Sequence, residues 1–329
     1  MSVMIESVRR APNELWDETW KNSFWASYYQ SREWSDVWNR YSNGRISPAA
    51  LDIRFSDGKR AVLPFSRQRY AGGIYTKYIS SLPNSRSGGW LSVDDLEKEH
   101  AHLLSNYIVK HFSNIMLYFN PLDPIVNYVT LPKRLTQNHH IIRTDIRFED
   151  LYGKIHRKQR GAINKANKSG ISIRFADKID DWRKFYKVYQ DSLRRWGKNV
   201  IEIRDWKSYE IMHARQSPNM KMWIAEYNEE VIGGMLVFFS SHIVTPWSIN
   251  TIEKYFHLRP ASLLYCALIK YACDNGYEAI DLGMSGNIRG LIEFKERFCA
   301  QPVRAYKYTS KSKIFKIIQS PIHSFKKYL

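Results

Sequence analysis

Residues 221–250 read KMWIAEYN, EEVIGGMLVFFSS and HIVTPWSIN, and residues 259–284 continue as RPASLLYCALIKYACDNG and YEAIDLGM. The first three stretches are rich in Val, Ile, Phe and Trp and are separated only by turn-length polar gaps. That pattern predicts three successive antiparallel strands. The next run opens with Pro260 and closes on Gly276, the punctuation of a helix start and stop. A further strand is predicted over YEAIDLGM. Three consecutive strands with no helix between them contradict a doubly wound parallel sheet, so a dinucleotide-binding fold is excluded.

Working outward, GLIEFKERFC predicts a helix and PVRAYKYT a closing strand. Upstream, YGKIHRKQRGAINKANKSG reads as one helix ending at Gly170, ISIRFA as a strand, and DDWRKFYKVYQDSLRRWG as a helix with an acidic start and Gly197 at its end. The first part of the chain repeats the plan more loosely. Two Trp- and Tyr-rich amphipathic helices precede LDIRFSDGKRAVLPFS, whose Asp57-Gly58 is a hairpin signal. YAGGIYTKYISSL, the loop PNSRSGGW, a helix over VDDLEKEHAHLLSNYIVKHF and the strand NIMLYFN follow, and LPKRLTQNHH reads as a polar connector. We expect an α/β (α+β) protein of two similar domains, 1–140 and 141–310, each a mixed, mostly antiparallel sheet covered by helices, with a cleft between them and a basic tail at 311–329.

Charge bounds the partners. The 329 residues hold 50 Lys+Arg against 32 Asp+Glu, a net charge of +18, which favours polyanions. Two segments without any acid concentrate it: Lys154–Lys168 carries six Lys or Arg, and Arg304–Leu329 carries seven. Arg157 and Arg160 share a helix face, and like charges so spaced are costly unless an anion faces them. This helix is read as a phosphate-binding element, against the alternative of a solvated face. The tail interleaves Ile and Phe with Lys, the composition of a helix lying on a membrane or of an RNA-binding segment. The alternative is a terminus covering its own domain.

Cys266, Cys273 and Cys299 form no CxxC and read as reduced thiols. The N-terminal MSVMIESVRR has no apolar run of the signal-peptide kind, and no stretch of 18 uncharged apolar residues occurs. The expectation is a cytoplasmic protein, peripheral at the inner face of the membrane if the tail binds there. GxxxxGK[ST], HExxH, GxSxG and GxGxxG are all absent, which removes the common NTPase, zincin, serine hydrolase and dinucleotide signatures. His139-His140 falls in the polar connector and reads as solvated.

Two loops carry candidate chemistry. Arg259, Pro260 and Ser262 start a helix, and a helix N-terminus attracts anions, with the Arg259 fork beside it. Asp281 stands at a strand end, Ser285 and Gly290 lie in the glycine-containing loop after it, and Lys295 sits on the next helix. A lysine there would face developing negative charge, and the aspartate would accept a proton or orient an amine. The plain alternatives are an ordinary helix start, and a permissive turn with an exposed lysine.

Taken together, RKQRGAINKANKSGISI, WRKFYKVYQDSLRRWG, GGMLVFF, YFHLRPASLLYCALIKYACDNGYEAIDLG and GLIEFKERF resemble, in order, the Fem-type branch of the GNAT acyltransferase superfamily over about residues 150–308. The resemblance implies tandem GNAT-like domains and acyl or aminoacyl transfer to an amine of a cell-envelope precursor of peptidoglycan or polysaccharide, lipid- or nucleotide-linked. It implies that Lys295 stands near the acyl donor, Arg160 on a phosphate path, and the Arg259–Ser262 turn where CoA-using relatives bind pyrophosphate. RPAS lacks the glycines of that turn, so the backbone approaches a pyrophosphate less closely. The resemblance therefore favours aminoacyl-tRNA over acyl-CoA as donor, with no tightly bound cofactor and no metal. A CoA-dependent N-acyltransferase of an amino sugar is the alternative, and a non-catalytic polyanion-binding module the second.

Overall fold

The computed structural model describes residues 2–70, 73–80, 87–132, 134–197, 203–286 and 288–312. Backbone contacts divide the chain into two units, Met1–Gln137 with Arg304–Leu329, and Asn138–Val303. The membrane or RNA role expected of the tail falls on residues 313–329, outside the described residues.

The first unit opens with a strand, β1 (Ile5–Arg10), which pairs antiparallel with β2. The sequence reading missed β1, because six residues with three charges show no clean alternation. Helices α1 (Asn13–Asn22) and α2 (Arg32–Tyr41) follow where their aromatic spacing puts them, and the Ser31 hydroxyl caps α2 by accepting from the Trp34 N–H. Their Trp16 and Trp34 are almost wholly buried. Strands β2 (Ile46–Phe55) and β3 (Arg60–Tyr70) form the hairpin predicted at Asp57-Gly58, and β4 (Tyr75–Ile79) continues the meander. Helix α3 (Lys98–His111) then leads to β5 (Ile115–Tyr118), which pairs parallel with β4. Ile53, Leu63, Leu104, Ile108 and Leu117 centre the core.

After β5 the Asp123 side chain caps a 3-10 turn, Pro124–Tyr128, by accepting from the Ile125 N–H. Burial pushes the Asp123 carboxyl up from 3.8 to about 6. An acid whose folded value is raised adds stability when protonated; that contribution is complete below 3.8 and is lost as pH rises through about 6. Asp123→Asn keeps the cap and removes the titration. Thermal denaturation should show the variant stabilised by at most about 3 kcal/mol at pH 8 and level with the parent at pH 4. A destabilised variant at pH 8 contradicts the burial argument.

The second unit begins with β6 (Leu135–Arg143), α4 (Phe148–Lys154) and α5 (Arg157–Lys168). The single helix expected here is two, because the chain turns at Ile155-His156, and Gly170 ends the second with a positive φ of 82°. Strand β7 (Ser172–Phe175) and helix α6 (Ile179–Trp196) agree with the expected pattern, whereas α7 (Trp206–Ala214) was not read from the sequence. Then come β8 (Met220–Tyr227), β9 (Glu230–Phe239) and β10 (Ile243–Thr251), the antiparallel meander. Helix α8 (Pro260–Asp274) carries the chain to β11 (Ala279–Met284), which is parallel to β10. Helix α9 (Arg289–Glu296) and β12 (Gln301–Ser310) complete the chain.

The strands of the two units are ordered alike. The first runs β1-β2-β3-β4-β5-β12 and the second β6-β11-β10-β9-β8-β7. Each has an antiparallel meander, a helix, and a parallel return strand flanked antiparallel by a last strand. Two expectations need correction. Strand β12, read as the close of the second domain, pairs through Lys307–Ser310 with β5 of the first unit. The stretch read as a polar connector is β6, with Ile141 and Ile142 buried against β11. Its polar first half hides the strand signal, and pairing with β11 decides the outcome.

Candidate active site

Strand alternation sorts the second unit's sheet into an apolar and a polar face. On one side Met235, Val237, Val244, Ile280, Leu282 and Ile142 pack against Leu264 and Leu268 of α8. The opposite face carries Ser248 and Asn250 of β10, Asp281 of β11 and His139 of β6, all at most 3% exposed. Tyr209 of α7 covers it, its hydroxyl 3.2 Å from the Ser248 Oγ, and Asn250 Nδ2 donates to the same oxygen at 2.8 Å. A bulge between Pro246 and Ser248 turns Trp247 to this side as well, where its ring meets those of Tyr209 and Phe238. The Arg204 guanidinium lies 4.0 Å over the Trp247 ring, and burial pushes the Tyr209 phenol up to about 12. Gly234 is needed here: a Cβ would stand 2.6 Å from the Trp223 carbonyl oxygen and 2.7 Å from the Phe185 ring.

Strands β10 and β11 pair only at Ile243 with Ala279 and Val244 with Ile280. Beyond Val244 the β11-facing edge of β10 leaves that ladder. A wedge therefore opens at the carboxyl ends of two parallel strands. Open α/β sheets take ligands at such a place.

Asp281 and His139 stand at this wedge. Asp281 pairs with Ile141, and His139, two residues away, shares its face. The His139 Nδ1 is 2.9 and 3.0 Å from the two carboxylate oxygens of Asp281. The Gly283 N–H donates to the same carboxylate at 2.8 Å. Gly283 makes this possible with φ +67°, in a bulge between Asp281 and Met284. A carboxylate only accepts, so Nδ1 carries the proton and the lone pair of a neutral imidazole lies on Nε2.

Lys295 is 3% exposed, and its Nζ donates to the carbonyls of Leu282 at 2.8 Å, Gly283 at 3.0 Å and Met284 at 3.1 Å. An ammonium has three protons, so all are engaged by the strand that carries Asp281. The sequence reading gave this lysine an exposed position or a role at the oxyanion. The geometry makes it the clamp of the Asp281–Ser285 loop. The Ser285 hydroxyl lies 3.1 Å from the His140 Nδ1. Burial, with the Lys295 ammonium adding to it, holds His140 below its usual 6.5. The reading of His139-His140 as solvated is thus wrong: they are 2% and 3% exposed, one on each side of β6.

The helix-start residues divide. Ser262 is buried and accepts from Gln159 Nε2 of α5 at 2.7 Å, which ties the starts of α5 and α8 together. Arg259 is exposed and left-handed at φ +65°, immediately before Pro260, where β backbone is the norm. Arg157 is exposed, while Arg160 is half-buried and donates to the Gly153 carbonyl at 2.5 Å. Gly290 is exposed on α9, with open space where a Cβ would be, so no close approach requires glycine there. His139, His140, Gln159 and Tyr209 were missed in the sequence. Adjacent histidines next to Ile-Ile were the available signal for the first two. The thiols of Cys266, Cys273 and Cys299 are free and half-buried, and burial pushes the first two up to about 11. Among the described residues no three His, Cys, Asp or Glu side chains gather where they could hold a metal ion. No helix among them is long and apolar enough to cross a membrane.

Residues 153–296 match the acetyltransferase (GNAT) domain family, so the stretch that holds the meander, the wedge and the helix start is a GNAT acyltransferase domain. Within that class the fold is of the Fem type. The chain superposes on the crystal structure of FemX with a TM-score of 0.72 at 12% identity, covering 95% of this chain and all of that one. A conserved protein of unknown function from Bacteroides thetaiotaomicron gives 0.58 at 11% identity, covering 94% and 100%. The C-terminal domain of a putative lysylphosphatidylglycerol synthetase from Agrobacterium fabrum gives 0.54 at 12%, covering 84% and 88%. No curated protein matches the sequence.

Proposed function

We propose that this acyltransferase moves an aminoacyl group from aminoacyl-tRNA to an amine of a cell-envelope precursor, with the His139–Asp281 pair as its proton acceptor. The observation that carries the reading is the coincidence of that pair with the wedge between β10 and β11 on the polar face. The amine nitrogen attacks the donor carbonyl carbon, and negative charge develops on the carbonyl oxygen. Backbone N–H groups on the β10 edge beyond Pro246, which has none of its own, stabilise that oxygen. The ammonium proton passes to His139 Nε2, and Asp281 stabilises the imidazolium. Collapse of the adduct breaks the bond to the donor's ribose oxygen, which takes the proton back from His139. The new amide and the free tRNA leave. Lys295 holds the loop that presents Asp281 and is a positioning residue.

The donor is argued from the α8 start. RPAS has no glycine, and the buried Ser262 hydroxyl is already paired with Gln159. These features suit a pyrophosphate poorly, whereas the exposed Arg157, Lys158, Lys165 and Lys168 of α5 suit an extended polyanion. A lysylphosphatidylglycerol synthetase domain of similar fold agrees with an aminoacyl group as cargo.

Fluorescence anisotropy with three ligands tests this reading. Aminoacyl-tRNA should bind saturably and more tightly than the same tRNA deacylated. Tight acyl-CoA binding would replace the donor by CoA and revive the N-acyltransferase alternative. Equal affinity for any RNA, with a steep salt dependence, would make the chain a polyanion binder.

A further inference from the structure

One end of the first unit is built from segments without acid. No Asp or Glu occurs in residues 37–51, 58–93, 100–122 or 297–329. Parts of all four meet at this end: α2 stops at Tyr41 and β2 starts at Ile46, β3 stops at Tyr70 and β4 starts at Tyr75, α3 stops at His111 and β5 starts at Ile115, and β12 stops at Ser310. Strand register brings them together. Ile46 pairs with Gln68, Tyr70 with Tyr75, and Ile115 with both Tyr78 and Ser310. The Arg69 N–H donates to the Arg45 carbonyl at 3.3 Å. Arg45, Arg69 and Lys110 are exposed here and Arg67 is half-buried, and none of the four makes an ion pair among the described residues.

The β3–β4 hairpin carries an apolar tip in the midst of this charge. Ile74 is 78% exposed, the highest value of any large apolar side chain among the described residues. Gly73 turns the chain before it at φ +101°, and the half-buried Tyr70 and Tyr75 pair directly behind. Val109, 41% exposed, adjoins Lys110 at the end of α3. The exit of the chain agrees with this placement. The Ser312 N–H donates to Asn114 Oδ1 at 2.9 Å, just before β5, and residues 313–329 then hold Lys313, Lys316, Lys326 and Lys327, with Ile and Phe among them and no acid.

We propose that this end of the first unit is a membrane-docking face, with Ile74 entering the interface of an anionic bilayer and Arg45, Arg67, Arg69 and Lys110 held against its phosphate headgroups. An apolar side chain at the acyl boundary, tyrosines at headgroup level and cations facing anionic lipid are the parts such contact needs. RNA would satisfy the cations but leave Ile74 in water, so the hairpin tip selects lipid. Each Lys or Arg near an anionic surface adds about fivefold in affinity, and removing an exposed isoleucine from water about tenfold. The basic residues after Ser312 add to the same attraction. The inference is independent of the proposed acyl transfer, and its test needs neither donor nor acceptor.

Co-sedimentation of the full chain with vesicles of mixed phosphatidylcholine and phosphatidylglycerol, and with vesicles of phosphatidylcholine alone, tests the face. The mixed vesicles should bind saturably and the neutral ones about tenfold or more weakly. Ile74→Ser should weaken binding to the mixed vesicles about tenfold at any salt concentration. The double variant Arg45→Glu, Arg69→Glu should weaken it about tenfold or more at low salt and less at high salt. All three side chains are exposed, so melting temperatures should stay near the parent's and lost binding is not lost fold. If both variants sediment as the parent does, the proposal is overturned and the attraction belongs to residues 313–329. Equal binding of the two vesicle types, or none to either, would overturn it as well. Weaker binding of bulk RNA by the double variant, with vesicle binding unchanged, would make this an RNA surface instead.

Discussion

His139→Gln is expected to lower kcat by about 10²- to 10⁴-fold, with KM for the acceptor changed by only a few-fold and the melting temperature nearly unchanged. Glutamine keeps an N–H toward the Asp281 carboxylate, whose bonds with His139 and Gly283 hold the wedge in shape, but it cannot take up the amine proton. Asp281→Asn should approach the same loss by another route. An amide offers an acceptor and a donor, so it no longer dictates which imidazole nitrogen carries the proton. Single-turnover rates with a charged donor separate chemistry from release. A variant within three-fold of the parent rate would remove His139 from the proton path.

The second large effect is expected at Lys295. Lys295→Met deletes the ammonium that bonds the carbonyls of Leu282, Gly283 and Met284. Those carbonyls stay buried under α9 with part of their hydrogen bonding lost. The cost should be about 3 kcal/mol or more, which for a unit of this size lowers Tm by roughly 6–12 °C. Turnover should fall with it, since the strand end carrying Asp281 loses its clamp. Lys295→Arg should recover part of the stability, because a guanidinium also donates, though its fork fits three converging carbonyls less well. The coupling of the two readouts is what decides. A Lys295→Met protein that melts like the parent yet turns over far more slowly would show the lysine acting on developing charge, the role its place in the sequence suggested.

The Fem-type architecture was legible because its deciding elements are local. The β8–β10 meander shows as three β-rich runs with short gaps, and α8 as an apolar run between Pro260 and Gly276. Strand β1 and helix α7 were less legible. The former is charged and short, and the latter follows residues 198–202, which lie outside the described set. Strand β6 was hidden for a different reason: Thr136 to His140 is a polar string, and burial comes from pairing with a strand about 140 residues later. The site divides in the same way. Asp281, Ser285 and Lys295 were found, since they lie in one glycine-containing stretch. Their partners His139, His140 and the Leu282–Met284 carbonyls were not, because nothing in a linear pattern joins residue 139 to residue 281.

The acyltransferase class was legible only through the family resemblance, whereas the sequence by itself determined the layer plan, the duplicated order of elements and the concentration of positive charge in α5. Those properties follow from periodicity, turn residues and composition, each of which acts over a few residues. Only the tertiary structure decided which titratable groups meet. Pairing β6 against β11 brings His139 to Asp281 and removes both from water, and the packing of α9 directs Lys295 onto backbone carbonyls. Hydrogen bonding at 2.8–3.1 Å is a short-range force between groups far apart in the chain, so the roles of these residues were set by strand register and burial.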